Sequence, residues 1–328
     1  MPAPVNATLP LDWRSAMNCR QFRSMLSVAA MLAWAVGAAP AFAAKPVDPQ
    51  MIAEASGTKP TVADDGVVRI GWSRNDVEVT VDGMPLPPAA GLGSWAAFTA
   101  TDTGAMVMGD TVVFQDEVDA AMDAAFAHGL DVTALHNHFF YDSPKVYFMH
   151  IGGVGEAESL AAGVKAVWDA IRAVRTARPQ PATGFGGDTP VAGEFDADAL
   201  AEIVGYPASV NDGVVKITIG RGGRMHGQAI GASMGLTTWA AFSGGDVLAA
   251  IDGDFIMTGN EVQPVLRALR KAGLHVVALH NHMMGEQPGF YFTHVWGKGP
   301  AAELARGFRS ALDAQAAVDE AAAPHTTH

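Results

Sequence analysis

Ala134-Leu135-His136-Asn137-His138 and Ala278-Leu279-His280-Asn281-His282 are the same five residues written twice, 144 positions apart. Working outward, the offset holds. Trp95-Ala96-Ala97-Phe98 recurs as Trp239-Ala240-Ala241-Phe242, Gly109-Asp110 as Gly253-Asp254, and Glu117-Val118 as Glu261-Val262. Tyr147-Phe148-x-His150 recurs as Tyr291-Phe292-x-His294, so residues 95–150 align with their copies without a gap. Upstream, Asp65-Gly66-Val67-Val68 matches Asp212-Gly213-Val214-Val215 at an offset of 147, which puts three extra residues in the first copy near 73–78. A fixed period over this length identifies a duplicated structural unit.

The junction is a Pro/Gly-rich stretch without hydrophobic period, from Arg178-Pro179-Gln180-Pro181 to Gly186-Gly187-Asp188. The expected organisation is a signal region over 1–43, a first lobe over 44–178, a linker over 179–193, a second lobe over 194–315 and a flexible tail over 316–328. Within the first copy, residues 67–70, 77–81, 94–99 and 104–113 are β-rich runs broken by Gly, Pro and Asp, and read as strands. Asp116 reads as the cap of a helix that turns Val118, Met122 and Phe126 inward and ends at Gly129. Its counterpart has Asn260 and Gln263 at capping-box spacing, Val262, Leu266 and Leu269 inward, and Gly273 at its end. Strands over 132–139 and 145–152 follow, joined around Asp142-Ser143-Pro144, then an amphipathic helix over 156–175, matched by 301–314. Each lobe is therefore expected to be ββββαββα: an α+β fold, mainly antiparallel, with helices on one face of the sheet. The other face must be covered or polar, so the lobes are expected to pack face to face.

Six histidines fall inside the repeat: His136, His138 and His150, then His280, His282 and His294. Residues i and i+2 of a strand share a face. A hairpin centred on Pro144 would set His150 opposite His138, and one centred on Pro288 would set His294 opposite His282. Three imidazoles with an open position suit a transition metal, zinc or copper, and not calcium or magnesium. Asp142 and Glu286, equivalent turn residues, are candidates for a fourth oxygen ligand or a general base. Asp82 and His226, also equivalent, are candidates to reach the same face from an earlier strand. Met283 and Met284 would bias the second site toward copper. The competing reading is a hydrogen-bonded polar ladder without an ion, with Asn137 and Asn281 facing the core. Trp95 and Trp239 read as core aromatics, and Glu117 and Glu261 as complements to a helix dipole.

The 328 residues carry a formal charge of −13, with 49% hydrophobic and 17% charged. Such a chain buries a core, and its acidity disfavours nucleic acid and anionic lipid as partners. Its single cysteine, Cys19, precludes disulfides, Cys-rich zinc sites and thiol catalysis. Arg20 and Arg23, the apolar run over 25–39 and Ala41-Phe42-Ala43 have the order of a cleavable export signal, with the mature chain starting at Ala44. That run is shorter than the roughly 20 residues of a membrane span, so no span is expected after processing, and the location is periplasmic or secreted. Initiation at Met17 would give a more ordinary signal. No GxSxG, phosphate-cradling loop or HExxH is present.

These residues resemble the LppY/LpqO family of bacterial envelope proteins, a duplicated domain of unknown function (DUF1259), over about residues 48–314. The resemblance rests on Gly109-Asp110 with Glu117-Val118, on Thr133 through His138 with Tyr147-Phe148-Met149-His150-Ile151, and on the second set. That set comprises residues 259–262, Leu266-Arg267-Ala268-Leu269-Arg270, 278–283 and 292–296. Family lipoproteins carry a lipobox cysteine that this chain lacks, which implies a soluble form. The family's Pro-Arg near its second early strand is replaced here around Gly220-Arg221-Gly222-Gly223-Arg224. The resemblance implies no established activity. Two functions stay open: binding of a transition metal or small ligand through the histidine clusters, or metal-dependent hydrolysis with Glu286 or Asp142 as base. The oligomeric state is open as well.

Overall fold

The computed structural model describes residues 45–322; the expected export signal lies outside them. The first copy opens with α1 (Pro49–Ser56), β1 (Thr61–Val62), β2 (Val68–Ser73), β3 (Thr80–Val81) and β4 (Met84–Pro85). It continues through β5 (Gly93–Thr101), β6 (Gly104–Phe114), α2 (Val118–Ala127), β7 (Asp131–His136), β8 (Asp142–Ser143), β9 (Val146–Gly155) and α3 (Ala157–Ala177). The second copy opens with α4 (Ala197–Val204), β10 (Ala208–Asn211), β11 (Val214–Gly220), β12 (Gly223–Met225) and β13 (Gln228–Ile230). Then come β14 (Thr237–Gly244), β15 (Ala249–Thr258), α5 (Gly259–Lys271), β16 (His275–His280), β17 (Phe290–Gly299) and α6 (Ala301–Ala322).

The fold is α+β, with two equivalent halves. The lobes meet edge to edge, not face to face. One twelve-stranded sheet runs β1-β2-β5-β6-β9-β7-β16-β17-β15-β14-β11-β10, six strands from each copy. At its centre β7 pairs antiparallel with β16 through Leu135 and Leu279, the same position of the two copies, so a local pseudo-twofold passes through that pair. Joining the edges pairs backbone groups that two separate sheets would leave bare. It also lets one apolar core run through both halves: Phe98, Val107 and Trp168 belong to the same buried cluster as Phe242, Phe255 and Phe308. The helices cover this face. In β5, Ser94, Ala96 and Phe98 are buried beneath them while Trp95 and Ala97 alternate to the open face, half-buried.

On the helix side the seam is polar. Gln263 of α5 donates to the Val132 carbonyl (2.8 Å) and accepts from its amide (3.1 Å). Arg270 bonds Asp119 (2.7 Å) and Asp123 (2.9 Å) of α2.

Several local expectations change. The run 77–81 contributes only the short strand β3, which joins β4 and β8 in a three-stranded sheet. Helices α1 and α4 were not expected. Each is eight residues long, capped by Asp48 or Asp196 and closed by a left-handed glycine, Gly57 or Gly205. The cap of α2 is Glu117, not Asp116, and the capping box of α5 is Thr258 with Glu261. The chain expected to fray from 316 continues as α6 through Ala322.

Glu117 and Glu261 also do more than complement a dipole. Glu117 is fully buried and receives Arg74 through two hydrogen bonds of 2.7 and 2.8 Å, with Arg175 at 2.7 Å. Glu261 receives Arg221 at 2.5 and 2.7 Å. Each pair ties the chain leaving β2 or β11 to the start of α2 or α5. Burial pushes the Glu117 carboxyl up despite Arg74. For Glu261 burial is outweighed by Arg221, the Thr258 amide and Gln315, which hold it below its ordinary value.

Candidate metal centre

Strand register, rather than a tight hairpin, decides where the histidines lie. In β7 and β9, Ala134 faces His150 and His136 faces Phe148; in β16 and β17, Ala278 faces His294 and His280 faces Phe292. The expected pairing of His138 with His150, and of His282 with His294, is therefore displaced by four residues. The connections are wider than a hairpin turn, and both pairings are shifted by a bulge, at Val132/Ala134 and Val276/Ala278.

The triads still assemble, by another route. His136 and His150 are diagonal neighbours on the open face, with ring centroids 5.1 Å apart; His280 and His294 are 5.2 Å apart. His138 and His282 lie past the strand ends and fold back, stacking on Phe148 (3.3 Å) and Phe292 (3.5 Å). That brings them 5.1 Å from His136 and 5.0 Å from His280. Ligand atoms of His280, His282 and His294 all lie within 4.8 Å of one another, the one such group among the described residues.

Local chemistry prepares these rings. Nδ1 of His136 and of His280 each lies 3.3 Å from the carbonyl of the following asparagine. A carbonyl only accepts, so Nδ1 is the donor in this contact and Nε2 is the nitrogen turned to a ligand. Asn137 and Asn281 do not face the core; they are exposed, and each Nδ2 donates to a carbonyl two residues on, at 2.8 Å. Burial lowers the pKa of both His138 and His282, helped by the neighbouring imidazoles, which favours the neutral ring.

Two residues absent from the sequence candidates complete the arrangement. Asp110 is the cross-strand partner of His150, and Asp254 that of His294. Asp110 Oδ1 lies 3.8 Å from His150 Nε2, and Asp254 Oδ2 lies 4.0 Å from His282 Nε2. Burial raises the pKa of Asp254, opposed by His294 and His280. The recurrence of Gly-Asp was the available signal, but its glycine has a separate reason. A Cβ at Gly109 would lie 2.9 Å from the Trp95 carbonyl oxygen, and one at Gly253 would lie 3.0 Å from that of Trp239.

The other candidates stand elsewhere. Asp142 accepts from the Val146 amide (2.7 Å) and Lys145 (2.9 Å), and Glu286 from the Phe290 amide (2.9 Å), so both brace the loops after the histidine strands. Asp82 and His226 are exposed, with φ of 50° and 49°, each before a left-handed glycine. They form the turns of the β3–β4 and β12–β13 hairpins, where two successive positive φ values are required. Met283 packs against the Leu236, Ile256, Phe290 and Phe292 cluster, and Met284 is exposed. Trp95 and Trp239 are not core residues: they flank Asp110 and Asp254 on the open face, under Arg69 (4.2 Å) and Lys216 (4.3 Å).

The profile of the family described as Domain of Unknown Function (DUF1259) matches residues 50–170 and again 198–314, one match per copy. The chain belongs to the DUF1259 family. Both matched regions of this DUF1259 chain contain a complete triad and its aspartate. No curated protein matches the chain. Among solved structures it is similar to EtuB from Clostridium kluyveri, at 9% identity, covering 80% of this chain and 91% of that one, with a TM-score of 0.21. It is also similar to the trimeric bacterial microcompartment shell protein PduB, at 11% identity, covering 80% and 93%, with a TM-score of 0.18. Likeness at this level carries no argument about architecture or assembly.

Proposed function

We propose that this DUF1259 chain is an exported binding protein that holds a divalent transition metal, or a small ligand through that metal, on the open face of its sheet. The observation that carries the reading is the convergence of His280, His282 and His294 within 4.8 Å. The same ring spacings recur around His136, His138 and His150. Zinc is the favoured ion, because Met283 is committed to an apolar cluster and the bias toward copper goes with it. Binding is favoured over hydrolysis because both carboxylates suited to act as base accept backbone hydrogen bonds in their loops. Export rests on the order of basic residues, apolar run and Ala-x-Ala before Ala44. Among the described residues no helix is long and apolar enough to cross a membrane.

The test is metal analysis of the full processed chain, purified without an affinity tag. Zinc should be retained through dialysis. His282→Ala and His294→Ala should each lose it from the second lobe, with thermal unfolding in chelator little changed. Unchanged metal content with a large drop in melting temperature would return the histidines to a purely structural role. N-terminal sequencing of exported material should begin at Ala44; retention of residues before Gly37 would reject processing.

A further inference from the structure

Three imidazoles around a point leave one side of the ring open, and in the second lobe an aspartate stands on that side. In the second lobe the circuit runs from His282 to His280 (5.0 Å between centroids) and on to His294 (5.2 Å). It continues to Asp254, the direct cross-strand partner of His294, and returns from Asp254 Oδ2 to His282 Nε2 at 4.0 Å. Asp254 is 3% exposed, and its Oδ1 is buried without a hydrogen-bond partner. Among the described residues, His282 is the basic side chain within 4.0 Å of it. A buried carboxylate oxygen left unpaired is costly, and a cation at the centre of the ring would remove that cost. The first lobe has the same members with a different contact: His138, His136 and His150 stand at 5.1 Å steps, and Asp110 Oδ1, buried and without a hydrogen bond, lies 3.8 Å from His150 Nε2.

We infer that Asp254 is the fourth donor of a three-histidine, one-carboxylate centre, with Asp110 its counterpart in the first lobe. The inference rests on the metal reading above and narrows the ligand class. Three neutral nitrogens and one anionic oxygen suit a divalent first-row cation such as zinc, and the hard oxygen disfavours copper(I). The bound centre keeps one net positive charge, so what it receives from solution is water or an anionic group.

The experiment titrates the full untagged chain with zinc and with cobalt(II) against a competing chelator, comparing wild type with Asp254→Asn. The amide keeps the shape but not the charge. Affinity in the second lobe should fall by more than the ~10–100-fold typical of groups that only orient a ligand. The cobalt absorption spectrum should change, and the metal-free protein should unfold at the same or a higher temperature. Wild-type affinity with an unaltered spectrum in Asp254→Asn would overturn the inference and leave the metal reading standing. A wild-type chain that binds neither ion would overturn both. Should Asp254→Asn fail to fold, Asp254→Glu carries the test: binding with a shifted cobalt spectrum supports direct ligation, and an unshifted spectrum overturns it.

Discussion

The two lobes match on one side of the sheet and differ on the other. On the open face each lobe presents the same tryptophan, aspartate and three histidines. On the helix side of the seam, α2 has Asp119, Asp123 and Phe126 where α5 has Gln263, Arg267 and Arg270. Under the pseudo-twofold, the contact of Arg270 with Asp123 (2.9 Å) has as its mirror image the contact of Phe126 with Arg267, whose guanidinium lies 4.4 Å over the ring. One geometric relation is met once by an ion pair and once by a cation–π contact. A contact between two copies of the first lobe would set Asp123 against Phe126 and form neither of these pairs. Here the copies have become complementary, which makes each lobe prefer the other over itself. Shared chemistry is held on the face that meets solvent, and divergence is concentrated where the halves recognise one another.

The sharpest way to break this comparison is at the arginines that meet Glu117 and Glu261. Arg74 has no exposed side-chain surface, whereas Arg221 is 23% exposed. Arg74→Ala leaves the buried Glu117 with Arg175 as its cation and takes away two charge-assisted hydrogen bonds, and should cost about 3–5 kcal/mol; Arg221→Ala should cost about 1–3 kcal/mol. Denaturant unfolding of the two variants measures this, and equal losses would show that the lobes are braced alike. At the seam, Arg270→Asp should cost about 2 kcal/mol, because Asp119 and Asp123 then face a third carboxylate. Adding Asp123→Arg should restore part of it, and a double-mutant cycle showing no coupling would remove charge complementarity as the basis of lobe pairing.

The smallest effect is the pH dependence of the metal-free protein. His138 and His282 have folded pKa values below the ordinary value near 6.5. The unfolded chain therefore binds more protons as pH falls through about 6.5. The stability present above that pH is lost below it, down to the depressed folded values. In the first lobe Asp110 opposes the shift of His138, so Asp110→Asn should steepen the loss. Thermal melts between pH 7 and 5 in chelator would show it, and an identical slope in Asp110→Asn would remove this difference between the lobes.

The duplication, the strand-rich lobes with helices on one face and the histidine triads were legible because a constant offset makes each copy a check on the other. The seam was not. Nothing in the alternation of β7 says whether its edge will pair with a neighbour or be capped, and Leu135 beside Leu279 is settled only by packing. Asp110 and Asp254 were hidden for a related reason: a carboxylate two strands away in sequence joins a histidine site only once register is known, and register here follows wide loops and bulges. Helices α1 and α4 left a readable trace, Asp48-Pro49 before Gly57 and Asp196 before Gly205. Eight residues are too few for hydrophobic period to declare them.

The central strand pair has a consequence for how the chain reaches its native state. Leu135 must wait for Leu279, and contacts so distant in sequence form late. Until then, a half-folded molecule carries β7 as a raw edge, the kind of surface that recruits a second chain into aggregates. The side chains beside that edge supply a safeguard. Two such intermediates approaching through α2 would set Asp119 and Asp123 against the neighbour's Phe126, where no cation receives them, whereas the later-made half arrives with Arg270.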